Sequence, residues 1–403
     1  MSIESLVKKE IRGPVRISPT RLRLKMPPDV ISLAAGDPNF LLPEYIADAV
    51  YKAIREGYTH YCFGGDPELK EAIARYYKKF GYEADPMKQV IITAGGSQGI
   101  FQAYATILNP GDEVIAFDPS YGGGRSPLRY FGAKLVFSPM KKDAEGYFRI
   151  DIEALKEKIT EKTKALYMEN PGNPTGIVYT KEELEAIADL AKDHNFIVIS
   201  DEIYTEFIWG GRKHIPIISL PDMEDRTIVI MAMTKMFAWA GMRTGWIISG
   251  PTLTSYINRV PTGITGVPWP IQKAAIVALN GPWDFVKGQA AEYEERIDYC
   301  VKRLNEMPNI KCVKPEGAFY LFPDISATGL KSAEFCAKLF EQEKLRIVPG
   351  SAYGPAVGEG HVRIALVRPL STQTMPSWFK VEPDKTLEAA MDRLERFTKS
   401  LAK

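Results

Sequence analysis

Apolar runs of strand length alternate with helical patterns through the middle of the chain. Runs rich in Val and Ile predict strands over residues 90–93, 113–117, 134–137, 164–168, 196–200, 227–231 and 245–249. Amphipathic patterns predict helices between them over residues 99–108, 152–159 and 181–194. Apolar strands that alternate with helices are typical of an α/β fold, in which helices cover both faces of a mostly parallel sheet. Ligands of such sheets bind beyond the carboxyl ends of the strands.

The pattern changes on both sides of this predicted sheet. The flanking segments predict helices over residues 43–56, 69–80, 283–307, 332–342 and 387–401 and short strands over residues 318–322, 345–348 and 361–365. We therefore expect a large domain over residues 43–282, followed by a connecting helix and a smaller α+β domain over residues 283–403. Residues 1–42 are expected to form an N-terminal arm, with one short helix, and part of the small domain.

Composition narrows the possible partners and the location. The chain has 403 residues and a formal net charge of +1, which gives no reason to expect nucleic acid or an anionic membrane as a partner. Its first residues lack the apolar core of a signal peptide, and no run approaches the roughly 18 apolar residues of a membrane span. The four cysteines and four histidines show no metal-ligand spacing. We expect a cytoplasmic protein without an essential metal.

A lysine in apolar surroundings is the first candidate for chemistry. The predicted strand over residues 227–231 leads into Thr234 and Lys235, and Lys235 is flanked by Met236 and Phe237. These neighbours are too apolar for an ordinary solvated loop, so the ammonium could lie in a cleft. A lysine whose stem covers apolar surface while its charge reaches water is the alternative. The local sequence leaves both interpretations open.

Two other strands end in residues suited to a phosphorylated ligand. Gly95, Gly96 and Ser97 follow the strand over residues 90–93 and open a helix, whose free backbone N–H groups could bind phosphate. Capping of the helix by Ser97 is the alternative. Tyr121 follows the strand over residues 113–117 and could stack on a planar ligand, or it could be a core tyrosine.

An amide and a carboxylate follow two further strands. Asn173 lies in the turn Asn170-Pro-Gly-Asn-Pro-Thr-Gly176, which could also be only a rigid turn. Asp201 ends a strongly apolar strand, where a carboxylate is costly unless it is paired with a cation. A phosphate loop, an aromatic ring, an amide, a carboxylate and a lysine at one sheet edge match the requirements of pyridoxal phosphate, whose aldehyde condenses with lysine and whose ring nitrogen pairs with aspartate.

The chain resembles the class I/II aminotransferases, which are pyridoxal-phosphate enzymes of fold type I, from about residue 30 to its C-terminus. The motifs that carry the resemblance are Gly36-Asp-Pro, Gly65-Asp-Pro-Glu-Leu, Thr93-Ala-Gly-Gly-Ser97, Asn170-Pro-Gly-Asn-Pro-Thr-Gly176, Asp201-Glu-Ile-Tyr204, Thr234-Lys235, Gly241-Met-Arg243, Pro315-Glu-Gly-Ala-Phe-Tyr320, Val348-Pro-Gly350 and His361-Val-Arg363. Together these motifs are highly specific.

The resemblance implies a role for each matching residue. Lys235 is expected to form the Schiff base with the cofactor and to move the substrate Cα proton. Asp201 is expected to keep the ring nitrogen protonated, Asn173 and Tyr204 to donate to the phenolic oxygen, and Tyr121 to stack on the ring. The expected phosphate ligands are Gly96, Ser97, Thr234 and Arg243, and the expected substrate contacts are Gly36, Asn173 and the carboxylate-binding Arg363.

Two positions depart from the family pattern. Ala232 stands three residues before the lysine, where a phosphate-binding serine is common, so Thr234 is expected to supply a hydroxyl instead. The tyrosine that reaches the neighbouring subunit's phosphate aligns with His60, and we assign the role to the adjacent Tyr61. This assignment implies a homodimer with shared active sites.

The expected activity is ping-pong transfer of an amino group between an L-amino acid and a 2-keto acid. A β-eliminating C–S lyase on the same fold is the alternative, and a cofactor sensor without catalysis ranks below both. A nicotinamide oxidoreductase is disfavoured because the glycine fingerprint of a dinucleotide site is absent. A dicarboxylate substrate would need a second cationic residue in the site, and the sequence indicates no position for it.

Overall fold

Most strands of the structure follow the apolar runs of the sequence. The computed structural model describes residues 6–7, 27–261, 266–371 and 385–402. Its strands are β1 (Ile31–Ser32), β2 (Val90–Thr93), β3 (Glu113–Asp118), β4 (Lys134–Lys142), β5 (Phe148–Ile150), β6 (Thr163–Glu169), β7 (Ile197–Asp201), β8 (Thr227–Ala232), β9 (Gly245–Ser249), β10 (Tyr320–Leu321), β11 (Leu345–Arg346), β12 (Val348–Pro349) and β13 (Val362–Ala365).

Eight of these strands form one sheet in the order β2-β9-β8-β7-β6-β3-β4-β5. Strands β4, β3, β6, β7 and β8 run parallel to one another, whereas β9 is antiparallel to both of its neighbours. The predicted α/β fold with a mostly parallel sheet is therefore confirmed. Strand β5, which pairs antiparallel with β4, was not predicted from the sequence.

Helices cover both faces of this sheet and build the flanking segments. They are α1 (Glu44–Arg55), α2 (Pro67–Lys78), α3 (Pro86–Gln89), α4 (Gly96–Ile107), α5 (Gly122–Arg125), α6 (Ile152–Lys158), α7 (Lys181–Asp193), α8 (Met233–Met236), α9 (Pro251–Ile257), α10 (Trp269–Asn280), α11 (Asp284–Glu306), α12 (Ser332–Glu343) and α13 (Leu387–Leu401). The sequence analysis predicted no helix at α9 or α10, nor at the single-turn helices α3, α5 and α8. Helices α9 and α10 carry proline in the first turn, where no backbone N–H is needed.

The parallel strands bring chemically useful residues to one edge. Because β3, β6 and β7 run in the same direction, their last residues Asp118, Glu169 and Asp201 end at the same side of the sheet. Glu169 lies directly opposite Asp201 in the register. Strand β8 ends beside them and continues into the single turn α8, which carries Lys235.

The N-terminal segment packs on the C-terminal part of the chain. Strand β1 pairs parallel with β11, where Ile31 lies opposite Leu345. Both residues belong to a buried apolar core that also contains Tyr293 and Ile297 from the long helix α11. The predicted strand over residues 318–322 is reduced to β10, and Ala318 has a left-handed backbone with φ 59°, which ends extended pairing there.

The predicted short helix of the N-terminal arm falls mostly on residues 1–5 and 8–26, which lie outside the described residues. Among the helices that the structure describes, none is long and apolar enough to cross a membrane.

Candidate active site

A cavity of about 510 Å³ opens at the carboxyl edge of the sheet. Eleven of the twelve residues singled out from the sequence line it, and the exception is Tyr61. The eleven are Gly36, Gly96, Ser97, Tyr121, Asn173, Asp201, Tyr204, Thr234, Lys235, Arg243 and Arg363. The fold therefore brings together residues that are far apart in the sequence, since Gly36 and Arg363 are more than 300 positions from each other.

Buried neighbours anchor the turn that carries Lys235. Met233, Met236 and Phe237 are fully buried in the apolar core on one side of the sheet, so Thr234 and Lys235 are left to face the cavity. The Lys235 Nζ donates a hydrogen bond to the carbonyl oxygen of Gly36. Burial lowers the pKa of Lys235 to about 8, although the nearby Asp37 favours the charged form. The lysine is thus inside a cleft, and the interpretation as a lysine that reaches bulk water is wrong.

Asp201 is a buried carboxylate without a cationic partner. It is only 3% exposed, and the Tyr167 hydroxyl donates to its Oδ2 at 3.1 Å. Burial raises its pKa to about 6, against the opposing effect of the Ile203 N–H, Tyr167 and Lys235. Within the described ranges, no Lys, Arg or His nitrogen lies within 4 Å of its oxygens. Lys235 acts on this carboxylate electrostatically but makes no ion pair with it.

The N-terminus of α4 offers an anion site. Gly95 precedes the helix with φ 80°, and no side chain caps the helix end. Ser97 is the second helical residue, so its interpretation as the N-cap is wrong. The backbone N–H groups of Gly96 and Ser97 have no acceptor in the described part of the chain. The helix dipole adds positive potential to these free donors.

Arg243 places a guanidinium beside this helix end. Its Nη2 donates to Ala94 O at 3.1 Å and its Nη1 donates to Ala240 O at 2.9 Å. These contacts hold a backbone with φ 54°, a conformation that costs a non-glycine residue on the order of 1 kcal/mol. A Cβ at Gly95 would lie 2.7 Å from Arg243 Nη2, so only glycine lets the guanidinium come this close.

Arg363 lies across the cavity in a fixed orientation. Its Nη1 donates to Asn173 Oδ1 at 3.3 Å, and its Nη2 donates to Ala34 O. The guanidinium carbon lies 4.6 Å from the ring centre of Tyr320 and 5.2 Å from that of Tyr353. The side chain is 5% exposed, and its buried Nε has no hydrogen-bond partner among the described residues. A donor left free in this way suits an anionic ligand.

Tyr204 and Gly36 both meet Tyr320, a residue to which the sequence assigned no role. The hydroxyl groups of Tyr204 and Tyr320 are 2.8 Å apart. A Cβ at Gly36 would lie 1.8 Å from the Tyr320 hydroxyl oxygen. Glycine is therefore required here by the packing of Tyr320, whereas the sequence suggested only close approach of a substrate.

Tyr121 lies at the rim of the cavity, 38% exposed, which excludes its interpretation as a core tyrosine. Its backbone N–H donates to Glu169 Oε1 at 2.9 Å.

Tyr61 and His60 do not reach the cavity of their own chain. Tyr61 is 69% exposed and its ring packs against that of Phe63, with 5.4 Å between the ring centres. Both residues border a separate surface depression with Trp269.

Sequence reasoning missed Asp37, Tyr320 and Tyr353, all of which line the cavity. Asp37 and Tyr320 belong to motifs that the sequence analysis recognised, but it assigned neither residue a function. Tyr353 lies in an irregular loop that carries no pattern of its own. Asp118 accepts hydrogen bonds from the backbone N–H groups of residues 356–358 at 2.9–3.1 Å, and these bonds hold the loop against the end of β3.

The residues present fit pyridoxal phosphate. The free N–H groups of α4 and the adjacent Arg243 suit its phosphate, and the cation-deficient Asp201 suits a protonated ring nitrogen. Lys235, with its lowered pKa, suits the aldehyde. Tyr121, which lines the cavity, suits stacking on the pyridine ring of the cofactor. All four requirements are met in one cavity.

Known proteins resemble this chain over nearly its whole length. The family model for aminotransferase class I and II matches residues 28–377. An aspartate aminotransferase of Pyrococcus horikoshii is 38% identical over 373 residues, which are 91% of this chain and 90% of that protein. An aromatic-amino-acid aminotransferase of Thermococcus litoralis is 38% identical over 375 residues, which are 92% of each chain.

A solved structure gives the same result in three dimensions. The aromatic aminotransferase from Pyrococcus horikoshii superposes with a TM-score of 0.85 at 37% identity, covering 94% of this chain and 98% of that one. Fold, cavity and sequence therefore agree, and the chain belongs to the class I and II aminotransferases, which are pyridoxal-phosphate-dependent enzymes.

Proposed function

We propose that the cavity exchanges an amino group between an L-amino acid and a 2-keto acid in two half-reactions, with Lys235 as the proton carrier. The observation that carries this proposal is one cavity holding a lysine of lowered pKa and a buried carboxylate that lacks a cation. When bound, pyridoxal phosphate supplies an electron sink for the pair of electrons left at the substrate Cα. The residues of the chain then have to bind the substrate, orient it and transfer protons.

Lys235 performs two tasks in this proposal. At pH 7 an amine of pKa about 8 is neutral in roughly one molecule in ten, so a nucleophilic fraction is always present. With the cofactor bound, the Lys235 Nζ would accept the proton from the substrate Cα and would deliver a proton again within the same half-reaction. Asp201 keeps the proton at the ring nitrogen in place, because its buried carboxylate is stabilised by that positive charge.

Arg363 is proposed to hold the substrate α-carboxylate. Its contacts to Asn173 and Ala34 and its position over the Tyr320 ring fix the plane of the guanidinium. A fixed plane presents the free donors in one direction and keeps the Cα–H bond near Lys235. Tyr204 is held by Tyr320 at the distance of a hydrogen bond and is proposed to contact the phenolic oxygen together with Asn173.

We infer that an uncharged side chain is preferred in the substrate. The cationic side chains that line the described cavity are Lys235, Arg243 and Arg363, and each already has a proposed role. Uncharged side chains, among them Ile100, Val348 and Tyr353, also line the cavity. The relative from Thermococcus litoralis is described as an aromatic-amino-acid aminotransferase, whereas the one from Pyrococcus horikoshii is described as an aspartate aminotransferase.

A panel of amino donors tests the function and the preference together. Each donor is added to the holoenzyme without keto acid, and the loss of cofactor absorbance is followed. We expect single-turnover amino transfer with aromatic and apolar donors at rates at least tenfold above aspartate. A faster reaction with aspartate would contradict the substrate inference. Pyruvate and ammonia formed from cysteine conjugates without added keto acid would instead identify a β-eliminating lyase.

We further propose that the enzyme is a cytoplasmic homodimer in which Tyr61 reaches the phosphate site of the partner subunit. The exposed position of Tyr61, away from its own cavity, supports this role. Tyr61→Phe is expected to raise the Kd for pyridoxal phosphate severalfold, with His60→Phe as the matched control. A monomer in analytical ultracentrifugation, or an effect confined to the His60 variant, would contradict the assignment.

A further inference from the structure

A second buried carboxyl group lies beside Asp201. Glu169 is the last residue of β6, is 4% exposed, and lies opposite Asp201 on the neighbouring strand β7. It accepts a hydrogen bond at 2.9 Å from the backbone N–H of Tyr121 and also interacts with the Tyr167 hydroxyl. In the described part of the chain, no cationic nitrogen lies within 4 Å of it. The proposed function gives this residue no role.

The Tyr167 hydroxyl connects the two carboxyl groups. It donates its only hydrogen to Asp201 Oδ2 at 3.1 Å. The Glu169 carboxyl also interacts with this hydroxyl, so the two carboxyl groups and Tyr167 form one buried cluster. Burial raises the pKa of Glu169 to about 8, and the nearby Asp201 raises it further, which agrees with a neutral acid at pH 7.

Glu169 is therefore linked to two residues that are proposed to contact the cofactor, Asp201 and Tyr121. It accepts a hydrogen bond from the backbone of Tyr121, the residue proposed to stack on the ring, and it interacts with the Tyr167 hydroxyl, which donates to Asp201. We propose that Glu169 is a positioning residue that holds Asp201 and Tyr121 in a fixed relation to the pyridoxal phosphate ring. This inference rests on the proposed function of the cavity.

A neutral Glu169, favoured by its raised pKa, adds no negative charge next to Asp201. An ionised Glu169 would be a like charge in a buried site and would favour protonation of Asp201, which then could not stabilise a positive ring nitrogen. Besides Asp201, the titratable or charged groups that interact electrostatically with Glu169 are Tyr104, Tyr121, Arg125, Tyr167, Tyr179, Tyr320 and Tyr353.

Two substitutions separate hydrogen bonding from packing. Glu169→Gln keeps an acceptor for the Tyr121 N–H and a donor for the Tyr167 hydroxyl, whereas Glu169→Leu removes both. The Kd for pyridoxal phosphate is measured by titrating the apoprotein. We expect Glu169→Leu to raise it about tenfold and Glu169→Gln to leave it within about threefold of the wild type. Glu316→Gln, which breaks a buried contact to Arg149 away from the cavity, is expected to lower the Tm without changing this Kd.

Tyr167→Phe tests the connection from the other side and keeps the proposal falsifiable if Glu169→Leu does not fold. We expect Tyr167→Phe to raise the Kd, and Glu169→Gln combined with it to add no further change, because the link to Asp201 is already cut. A wild-type Kd in Glu169→Leu, a tenfold increase in Glu169→Gln, or an unchanged Kd in Tyr167→Phe would overturn the proposal. In each case normal amino transfer by the wild-type enzyme would leave the proposed function intact, whereas its absence would reject that function itself.

Discussion

Arg363 donates a hydrogen bond at 3.3 Å to the side-chain oxygen of Asn173, which lies 190 positions earlier in the chain. The residue proposed to bind the substrate carboxylate is thus positioned by a residue proposed to touch the cofactor. This hydrogen bond connects the proposed substrate and cofactor sites, so a substitution of Asn173 or Arg363 is expected to alter binding at both.

The planar fork of Arg363 is expected to matter more than its charge. Arg363→Lys keeps one positive charge but loses the planar guanidinium and the contact with Tyr320, so we expect the amino-acid KM to rise about tenfold while kcat changes less. Steady-state kinetics with a saturating keto acid measure both constants. Arg303→Lys, on α11 outside the cavity, is the control. An unchanged KM in Arg363→Lys would remove the residue from the carboxylate site.

The ionisation of Lys235 should control how fast the cofactor is incorporated. Its pKa is lowered to about 8, and only the neutral amine attacks an aldehyde. The rate at which apoprotein binds pyridoxal phosphate should therefore rise roughly tenfold per pH unit below pH 8 and level off above it. Stopped-flow absorbance measures this rate. Pyridoxamine phosphate, which lacks the aldehyde, should show no such rise, and a flat profile with pyridoxal phosphate would contradict the lowered pKa.

The raised pKa of Glu169 predicts a pH-dependent stability of the apoprotein. A carboxyl whose folded pKa lies near 8 binds a proton in the native state that it has lost in the unfolded state between its ordinary pKa of 4.5 and pH 8. Wild-type stability should therefore fall across this window, relative to Glu169→Gln, which cannot ionise. We expect Glu169→Gln to have the higher Tm at pH 8.5 and to lose that advantage by pH 5. A constant difference in Tm would show that Glu169 does not titrate in this window.

The location of the site could be predicted because parallel strands end at one edge. Tyr121, Asn173 and Asp201 each follow an apolar strand, and that order alone placed them together. The assignment of Lys235 needed this context, because its own neighbours were equally compatible with a surface lysine. The domain boundaries at residues 42 and 282 and the role of Tyr61 remain predictions.

Other features depended on long-range packing that no local pattern reports. Tyr353 reaches the cavity because Asp118 holds its loop from β3, and Tyr167 looks like any apolar strand residue until its hydroxyl is found between two carboxyl groups. The left-handed backbone of Ala318 shortened a predicted strand. No helix was predicted at α9 and α10, each of which carries a proline in its first turn.

The central claim is that Lys235 binds the cofactor covalently and moves the substrate proton. Borohydride reduction of the holoenzyme, followed by peptide mass spectrometry, locates the lysine that carries the pyridoxyl group. We predict a single labelled peptide containing Lys235, no label in Lys235→Ala, and a loss of at least about 10³ in turnover for that variant. Lys273→Ala, at an ion pair outside the cavity, should keep both label and turnover. A label on another lysine, or retained turnover in Lys235→Ala, would contradict the account.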